Sequence, residues 1–593
     1  MLYFRHEKMR KHQDRMLADV MWALENGRRL LCHAPTGMGK TDAVLSATLS
    51  FALEREHVVF FLTPKISQHA IAMDVLRGIR ERYGVGFCAA DILGRKHMCA
   101  YPKLSDMEHD DFLYACRMKR KNETCVFYKN SHRFPEFPKG YEVAHSRELC
   151  LWCEARGLCP YEIAVRIAAR SKVIVADYFQ IFMPYVREVF IPKIKRRVEE
   201  SIIVVDEAHN LAARVQQQLS RAFSRRMAES AEKEARLVGS ELIKEFARMK
   251  ARLSRLCIKV GEREMLMERE EVVALFENYE EMREECRRVG EEYIEKTGNK
   301  SACVRLANFI DACASEEESI YIIDKNRIIR KCLDVSSATK ILNECHAAIL
   351  MSGTLVPMEM HRDVLGIENA EMREYPSPFP SANRLNMVAT DVTTRFSRRG
   401  ESEYRKIARK IERIVENVPG NIALFFPSYV VLEGVVKFLP FKVLVQPKNA
   451  KPREIAALIT KFANSEKAVL ACVQGGSLAE GVDIPNGKMK CAVIVGVALE
   501  EMGIEIEAMI DYYDKKFGRG WEYAYIFPAI VKAMQAAGRC IRSEKDRAAV
   551  VFLDERFVWK NYSRCFPQDF EFRETDTPEK ELASFFSNEC AKI

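Results

Sequence analysis

The sequence has little of what fibrous, disordered or membrane-spanning chains need. Its 593 residues include 27 glycines and 21 prolines, too few for a fibrous or low-complexity protein. No stretch approaches the length of uninterrupted apolar residues that a membrane-spanning helix requires. The first ten residues contain charges where a secretion signal would be apolar. We therefore expect a soluble intracellular protein, located in the cytoplasm.

The charge balance is mild, whereas the distribution of cysteine is uneven. A formal net charge of +8 is compatible with a polyanionic partner but does not by itself indicate one. An intracellular chain keeps its 19 cysteines reduced, so a disulfide framework is disfavoured. Uniform scatter would put about two of them between positions 99 and 159. That window holds six, which indicates a metal site: Cys99, Cys116, Cys125, Cys150, Cys153 and Cys159.

The hydrophobic pattern predicts two α/β units, the first of them interrupted twice. Strands and helices alternate over the first 90 residues, which is typical of a parallel sheet covered by helices. Residues 94–165 are irregular and rich in Arg, Lys, Cys and Tyr. Residues 213–315 lie in a stretch without proline and have helical spacing, which predicts an all-helical insertion. The expected first unit is therefore 1–93, 166–212 and 316–360, with 361–593 as the second.

A glycine-rich loop follows the first predicted strand and opens a helix. The segment Ala34–Thr41 reads A-P-T-G-M-G-K-T, which departs from the strict phosphate-loop pattern only by Ala34 in place of glycine. Its backbone N–H groups, with Thr36, Gly37 and Gly39, are predicted to surround phosphates at a helix N-terminus. Lys40 would reach the β- and γ-phosphates, and Thr41 would bind Mg²⁺.

An acidic pair follows a later apolar strand. Four apolar residues precede Asp206-Glu207-Ala208-His209, so the acids are expected at the carboxyl edge of the sheet, where open α/β sheets bind ligands. There Asp206 would hold Mg²⁺ through its water shell, and Glu207 would orient or deprotonate the attacking water.

Near the C-terminal end, Gln535 begins the segment Q-A-A-G-R-C-I-R. Arg539 and Arg542 stand three residues apart, so on a helical turn they project from one face. Two such cations suit the spread negative charge of a phosphoryl-transfer transition state.

The order of these motifs resembles that of superfamily 2 helicases. It also includes T-P-K (63–65), S-G-T-L (352–355) and E-G-V-D (480–483). The cysteine-rich insertion before D-E-A-H and the helical one after it are similar to those of the XPD family of DNA helicases, in its compact archaeal form. The resemblance implies two RecA-like lobes, with an iron–sulfur domain and an Arch domain inserted in the first.

The same resemblance implies an activity and several roles. The activity is ATP-dependent unwinding with 5′→3′ polarity in nucleotide excision repair, by a monomer that works with repair proteins on single-stranded DNA and duplex junctions. Arg10 and Gln13 would recognise adenine, and Gln535 would sense the γ-phosphate. Gly481 and Asp483 would couple the nucleotide to the DNA-facing loops.

The identity of the metal ligands has two interpretations. Spacing alone favours Cys150-x-x-Cys153, the usual metal knuckle. The resemblance instead implies a [4Fe–4S] cluster, because the sequence around three cysteines matches the context of family ligands and a fourth lies between the first two. That set is Cys99, Cys116, Cys125 and Cys159. Replacement of Cys116 by Cys150 or Cys153, and zinc instead of iron, remain alternatives.

Two regions combine cations or aromatic rings in a way that suits single-stranded DNA. The cysteine-rich insertion interleaves basic residues, including Arg95 and Lys96, with aromatic ones, and Thr63 and Lys65 of the T-P-K motif are further candidate contacts. A second aromatic cluster is either a wall of the DNA path or part of the core: Tyr512, Tyr513, Trp521, Tyr523 and Tyr525.

Three other functions compete with this interpretation. The chain is alternatively a DinG-type iron–sulfur helicase, or an ATPase that remodels protein–DNA complexes without separating strands. A redox or scaffold protein built on a degenerate helicase is the non-enzymatic alternative. The presence of Lys40, Glu207, Arg539 and Arg542 argues against it.

Overall fold

The computed structural model describes residues 1–102, 104–134, 138–476, 478, 487–541 and 543–590. Within these residues, 18 strands form two parallel sheets and one antiparallel sheet. The strands are β1 Arg29–His33, β2 Val58–Leu62, β3 Ala89–Ile92, β4 Val173–Ala176, β5 Ser201–Asp206, β6 Arg221–Ser224, β7 Met265–Met267, β8 Ser319–Ile323, β9 Arg327–Cys332, β10 Ala347–Ser352, β11 Ala370–Glu374, β12 Arg384–Ala389, β13 Asn421–Phe426, β14 Leu444–Val445, β15 Val469–Val473, β16 Met489–Val495, β17 Ala548–Leu553 and β18 Arg573–Glu574.

The described helices are Gln13–Glu25, Lys40–Arg55, Ile66–Tyr83, His109–Lys121, Val126–Arg133, Ser146–Glu154, Pro160–Arg170, Phe179–Phe182, Pro184–Lys193, Leu211–Leu219, Arg225–Val238, Ile243–Val260, Arg269–Val273, Tyr279–Thr297, Ala302–Ala314, Ser336–Thr339, Ile341–Glu344, Met358–Val364, Glu401–Asn417, Tyr429–Val436, Pro452–Ala463, Ile504–Phe517, Phe527–Ala537, Lys560–Ser563 and Pro578–Cys590. A π-helical turn, Glu522–Ile526, precedes Phe527–Ala537. Among the described helices, none is long and apolar enough to cross a membrane.

The first lobe is built on a seven-stranded parallel sheet in the order β11-β1-β10-β5-β2-β4-β3. Its central strands are continuous apolar runs because helices cover both faces of the sheet. Strand β1, which leads into the glycine-rich loop, pairs with β10 on one side and β11 on the other. Both partners come more than 300 residues later in the chain.

The second lobe repeats this plan with the order β14-β15-β13-β16-β17-β12-β18. The observed ladders within it are parallel, and their apolar side chains form a core between the sheet and its flanking helices. The expectation of two RecA-like parallel-sheet lobes is therefore confirmed.

The second insertion is not all-helical, contrary to expectation. Strands β6, β9, β8 and β7 form an antiparallel four-stranded sheet beside its helices. Strands β6 and β7 have four and three residues, too short to show an alternating pattern. The hairpin β8–β9 belongs to this sheet, so the insertion extends to Cys332 and the expected boundary at 315 is wrong.

The boundary between the lobes also differs from the expected 360. Strand β11 completes the first sheet, so the first lobe continues to residue 374. This strand, A-E-M-R-E, is a partly exposed edge strand without an apolar run, and its sequence gave no sign of it. The second lobe begins with β12 at Arg384.

Candidate functional site

The glycine-rich loop lies between β1 and the helix that begins at Lys40, as predicted. Gly37 and Gly39 have φ angles of 89° and 76°, which only glycine adopts readily. The Arg10 guanidinium donates to the carbonyl oxygen of Gly37 (2.8 Å), and the Gln13 amide donates to that of Gly39 (2.9 Å). The two residues implied in adenine recognition therefore contact the glycine-rich loop.

The acidic pair lies at the carboxyl end of β5, on the same edge of the sheet as the loop. Burial raises the pKa of Asp206 to about 7, and the charge of Glu207 adds to this rise while that of Lys40 opposes it. Glu207 has a φ of 50°, unusual for a residue with a side chain. The Tyr178 hydroxyl donates to its carbonyl oxygen (2.9 Å) and supports this conformation.

A chain of hydrogen bonds joins the second lobe to Glu207. The Gln535 amide nitrogen lies 2.6 Å from Nε2 of His209, whose Nδ1 lies 2.6 Å from the Ser352 hydroxyl. That hydroxyl donates to the Glu207 carboxylate (3.2 Å). An amide nitrogen only donates, so Nε2 of His209 accepts and Nδ1 carries the hydrogen. Burial lowers the pKa of His209, which keeps the ring neutral. This series of hydrogen bonds requires a neutral ring.

Both lobes line one cleft of about 520 Å³. The first lobe contributes Thr36, Lys40 and Glu207, and the second contributes Gln535 and Arg539. This volume suits a small-molecule ligand, and cations stand on both walls.

The other predicted residues of this site have different placements. Asp206 is buried, is not among the residues that line the cleft, and is near enough to Lys40 for their charges to interact. Thr41 occupies the first turn of the helix that begins at Lys40. Gly481, Asp483 and Arg542 lie outside the described residues.

Several residues of the site received no predicted role. His209 and Ser352 lie within D-E-A-H and S-G-T-L, so the motifs contained the signal and only the roles were missing. Tyr178 contacts Glu207, and Phe379 lines the cleft. Neither residue belongs to one of the helicase-like motifs. Their contribution depends on tertiary packing that spacing does not reveal.

The four cysteines implied as cluster ligands line a single cavity in the first insertion: Cys99, Cys116, Cys125 and Cys159. Cys125 and Cys159 are the N-cap residues of the helices Val126–Arg133 and Pro160–Arg170. A helix N-terminus favours negative charge, which suits a thiolate ligand. Burial raises the pKa of Cys99 to about 11 and that of Cys159 to about 12, so metal binding would release protons here.

The surroundings of this cavity fit a negatively charged group. Arg95, Lys119 and Arg120 line it with the cysteines. Among the described residues, no three His, Cys, Asp or Glu side chains are arranged to hold one metal ion. The four cysteines share a cavity with three basic side chains, and iron and zinc remain alternatives for it.

Cys150 and Cys153 do not line the cavity. They belong to the helix Ser146–Glu154, in which Cys153 is fully buried and Cys150 is half-buried. Cys153 packs in the main apolar core, as a small hydrophobic residue does. The knuckle spacing is thus a helical i, i+3 pair, and the cavity lining favours the set that the resemblance implies.

The candidate DNA contacts fall into two groups. Thr63 is fully buried and donates to Gln68, so its side chain is not available to a strand. Arg95 pairs with Glu162 (2.9 Å) and lies over the Tyr161 ring (3.9 Å), at the border of the cysteine cavity. Lys65 lines both the cleft between the lobes and a neighbouring cavity, and Lys96 is half-buried.

The second aromatic cluster divides between the two interpretations. Tyr513 and Tyr523 are buried, and the Tyr523 hydroxyl donates to Asp363 of the first lobe (2.6 Å). The Lys516 ammonium donates to the Tyr512 hydroxyl (2.9 Å) and to the Asp334 carboxylate (2.7 Å). Trp521 is 54% exposed and packs edge-on against Tyr525. Three tyrosines therefore form part of the lobe interface, whereas Trp521 and Tyr525 remain a surface pair.

Comparisons with known proteins agree with this architecture. Three family models match along the chain: DEAD_2 at 66–227, the helical and beta-bridge domain at 209–398, and the helicase C-terminal domain at 411–572. The ATP-dependent DNA helicase XPD of Sulfolobus acidocaldarius is 25% identical over 575 residues, 94% of this chain and 98% of that protein. The chain belongs to the XPD family of ATP-dependent DNA helicases.

Other relatives extend the comparison. The yeast general transcription and DNA repair factor IIH helicase subunit XPD/RAD3 is 22% identical, with 94% of this chain and 87% of that protein covered. A solved XPD helicase structure superposes with a TM-score of 0.71 at 22% identity, covering 96% of this chain and all of that one. At this identity the match concerns the fold, and the fold expected from the resemblance is confirmed.

Proposed function

We propose that this chain hydrolyses ATP with Mg²⁺ in the cleft between its lobes and moves along single-stranded DNA in the 5′→3′ direction. Movement separates a duplex ahead of the protein. Opening one base-pair step costs about 1.4 kcal/mol of stacking. Directional movement of the DNA against a rigid wedge is therefore sufficient to separate its strands.

The observation that carries this proposal is the cleft that both lobes share. Lys40 binds the β- and γ-phosphates, Thr41 and Asp206 hold Mg²⁺, and Glu207 positions the attacking water. Arg539 stabilises the negative charge that spreads over the transferred phosphoryl group. Closure of the lobes is needed to complete this set, so each round of hydrolysis changes their separation.

The hydrogen bonds from Gln535 to Glu207 connect the position of the second lobe with ATP hydrolysis. If Gln535 moves away, Nε2 of His209 loses its hydrogen-bond donor. His209 belongs to a hydrogen-bonded network that ends at the Glu207 carboxylate. Water activation therefore depends on the position of the second lobe. The adjoining segment with Gly481 and Asp483 is proposed to pass the same movement to the DNA.

The four cavity cysteines are proposed to hold a [4Fe–4S] cluster. When bound, the cluster supplies four iron–thiolate cross-links to a domain of short helices. Arg95, Lys119 and Arg120 offset its negative charge. This domain is the proposed wedge, and the Arch domain closes over the strand.

A DNA path is proposed through a cavity of about 760 Å³ where the first lobe, the cysteine-rich insertion and the Arch domain meet. Cations and rings from all three parts line it, which suits phosphates and unpaired bases. The main ones are Lys65, Arg95, Tyr161, Phe179, Tyr185, Arg221 and Arg305. Lys96 would add charge nearby.

A second part of the path is proposed on the second lobe. Phe396 is 86% exposed beside Arg399. The Arg395 guanidinium lies 5.3 Å from the Trp559 ring, which is also exposed. Exposed rings next to guanidinium groups form a stacking surface for single strands.

Polarity, the repair pathway and repair-protein partners rest on family membership and are proposed on that ground. The deciding experiment measures strand displacement on two matched partial duplexes, one with a 5′ and one with a 3′ single-stranded tail. We expect ATP-dependent displacement from the 5′ tail only. Displacement from the 3′ tail alone would reverse the polarity. ATP hydrolysis without any displacement would leave a translocase that remodels complexes.

A further inference from the structure

The segment that joins the two lobes begins with a firm anchor in the first lobe. Tyr375 is fully buried, and its N–H donates to the carbonyl oxygen of His33 (3.0 Å), the last residue of β1. Its hydroxyl donates to Asp19 (2.8 Å). The start of the connection is thus held against the strand that leads into the glycine-rich loop.

Two residues later, the same segment is attached to the second lobe. The Ser377 N–H donates to the Asp569 carboxylate (2.9 Å), and the Arg384 guanidinium donates to the Asp569 carbonyl (2.7 Å). The residues between these anchors and β12 therefore respond to the position of both lobes.

Phe379 lies in this connection, with its ring against the glycine-rich loop. A Cβ atom built on Gly37 would stand 2.0 Å from Cζ of Phe379, so the ring occupies the space over that glycine. The Arg10 guanidinium donates to the carbonyl oxygen of this Gly37. The half-buried Phe379 ring is also part of the wall of the 520 Å³ cleft, which stays open beside it.

A second aromatic ring of the cleft, Phe570, is already engaged. It packs on Phe566 and Phe572 with centroid distances of 5.4 and 5.2 Å, and the Arg384 guanidinium lies 5.3 Å from its centroid. Phe379 is half-buried and lines the open cleft, so part of its ring is accessible to a ligand group there.

We propose that Phe379 is a further nucleotide-binding residue, the ring on which the base of ATP stacks. This inference rests on the proposed ATPase function. A base packed on Phe379 contacts a residue tied to both lobes, so base binding and lobe position influence each other. Stacking is tolerant of base identity because every base has a π-face. Phe379 therefore contributes affinity, and discrimination between bases falls to other groups.

The test compares wild type with F379A, F379L and F379Y in DNA-stimulated ATP hydrolysis. A base–aromatic stack predicts a KM for ATP about tenfold higher in F379A and F379L, with kcat within about twofold. F379Y keeps the ring and is expected to match wild type. Inorganic tripolyphosphate, which has no base, should inhibit F379A and wild type with equal Ki.

Control measurements separate stacking from folding. Val430 is 67% exposed on the helix Tyr429–Val436 of the second lobe, so V430A should leave KM, kcat and the nucleotide-free melting temperature unchanged. F379L retains apolar bulk and provides a folded variant without the ring, should F379A be unstable.

The outcomes separate this inference from the function on which it rests. An unchanged or lower KM in F379A and F379L overturns it. So does a parallel rise in the Ki of tripolyphosphate, which would assign Phe379 to support of the loop. If wild type neither binds nor hydrolyses ATP, the proposed function itself fails, whatever the variants do.

Discussion

The nucleotide cleft and the cysteine cavity are assembled in opposite ways. The cleft collects residues from His33 to Phe570, keeps about 520 Å³ of open space and depends on hydrogen bonds between two lobes. The cavity draws four thiols from one insertion of the chain and encloses them among helices. A site divided between lobes is altered by any lobe movement, whereas a site within one domain can remain rigid. We therefore expect the cleft to change shape when the lobes move and the cysteine cavity to keep a fixed shape.

The largest expected effect comes from K40A. Loss of the cation that binds the phosphates should reduce ATP hydrolysis by at least about 100-fold. Iron content should stay at the wild-type level, because the cavity lies in another domain. Steady-state ATPase rates and iron analysis of the same preparation check both points. Normal turnover would show that the cleft is not the catalytic site.

The reciprocal change is C125S. A serine hydroxyl does not replace the thiolate at this helix N-terminus, so we expect loss of iron and a fall of about tenfold or more in unwinding. DNA-independent ATP hydrolysis should persist, since the cleft contains none of the four cysteines. Iron content and the visible spectrum of anaerobically purified protein give the first readout. Efficient unwinding by an iron-free variant would contradict the wedge.

A smaller effect is expected for Q535A, which removes one of the contacts between the lobes. One partly buried hydrogen bond to His209 is lost, worth about 1–3 kcal/mol, which corresponds to a fall in kcat of about 5- to 160-fold. The KM for ATP should hardly change because the phosphate-binding groups remain. Single-turnover hydrolysis separates the two parameters. A raised KM with normal kcat would mean that Gln535 binds ground-state nucleotide instead.

The smallest effect is expected for C150S, the matched control for C125S. Cys150 is half-buried and outside the cavity, so the free energy of unfolding should change by less than about 1 kcal/mol. Iron content and unwinding should equal those of wild type. Iron loss in C150S comparable to that in C125S would restore the knuckle interpretation and remove the contrast between the two sites.

Sequence reasoning succeeded where chemistry is carried by consecutive residues. The loop around Lys40 and the pair Asp206-Glu207 lie at the ends of apolar strands, as their spacing predicts. The set of four cysteines came from the resemblance, and their convergence on one cavity agrees with it. The spacing of Cys150 and Cys153 also suits a helix, which places residues three apart on one face for reasons of packing alone.

Other features were beyond sequence reasoning for physical reasons. Strand β11 has no apolar run because it lies at the sheet edge, and β6 and β7 are too short for periodicity. The roles of His209 and Ser352 depend on a contact with Gln535, more than 180 residues from either. The burial of Thr63 likewise follows from the tertiary structure, which a motif alone does not specify.

The pairing of β1 has a consequence for biosynthesis. During translation, the segment 29–33 leaves the ribosome early but finds its neighbours only when 347–352 and 370–374 have been made. Until then the loop that follows it has no fixed scaffold, and the nascent chain has no competent ATPase. ATP hydrolysis by the proposed mechanism therefore requires that both insertions have been synthesised first.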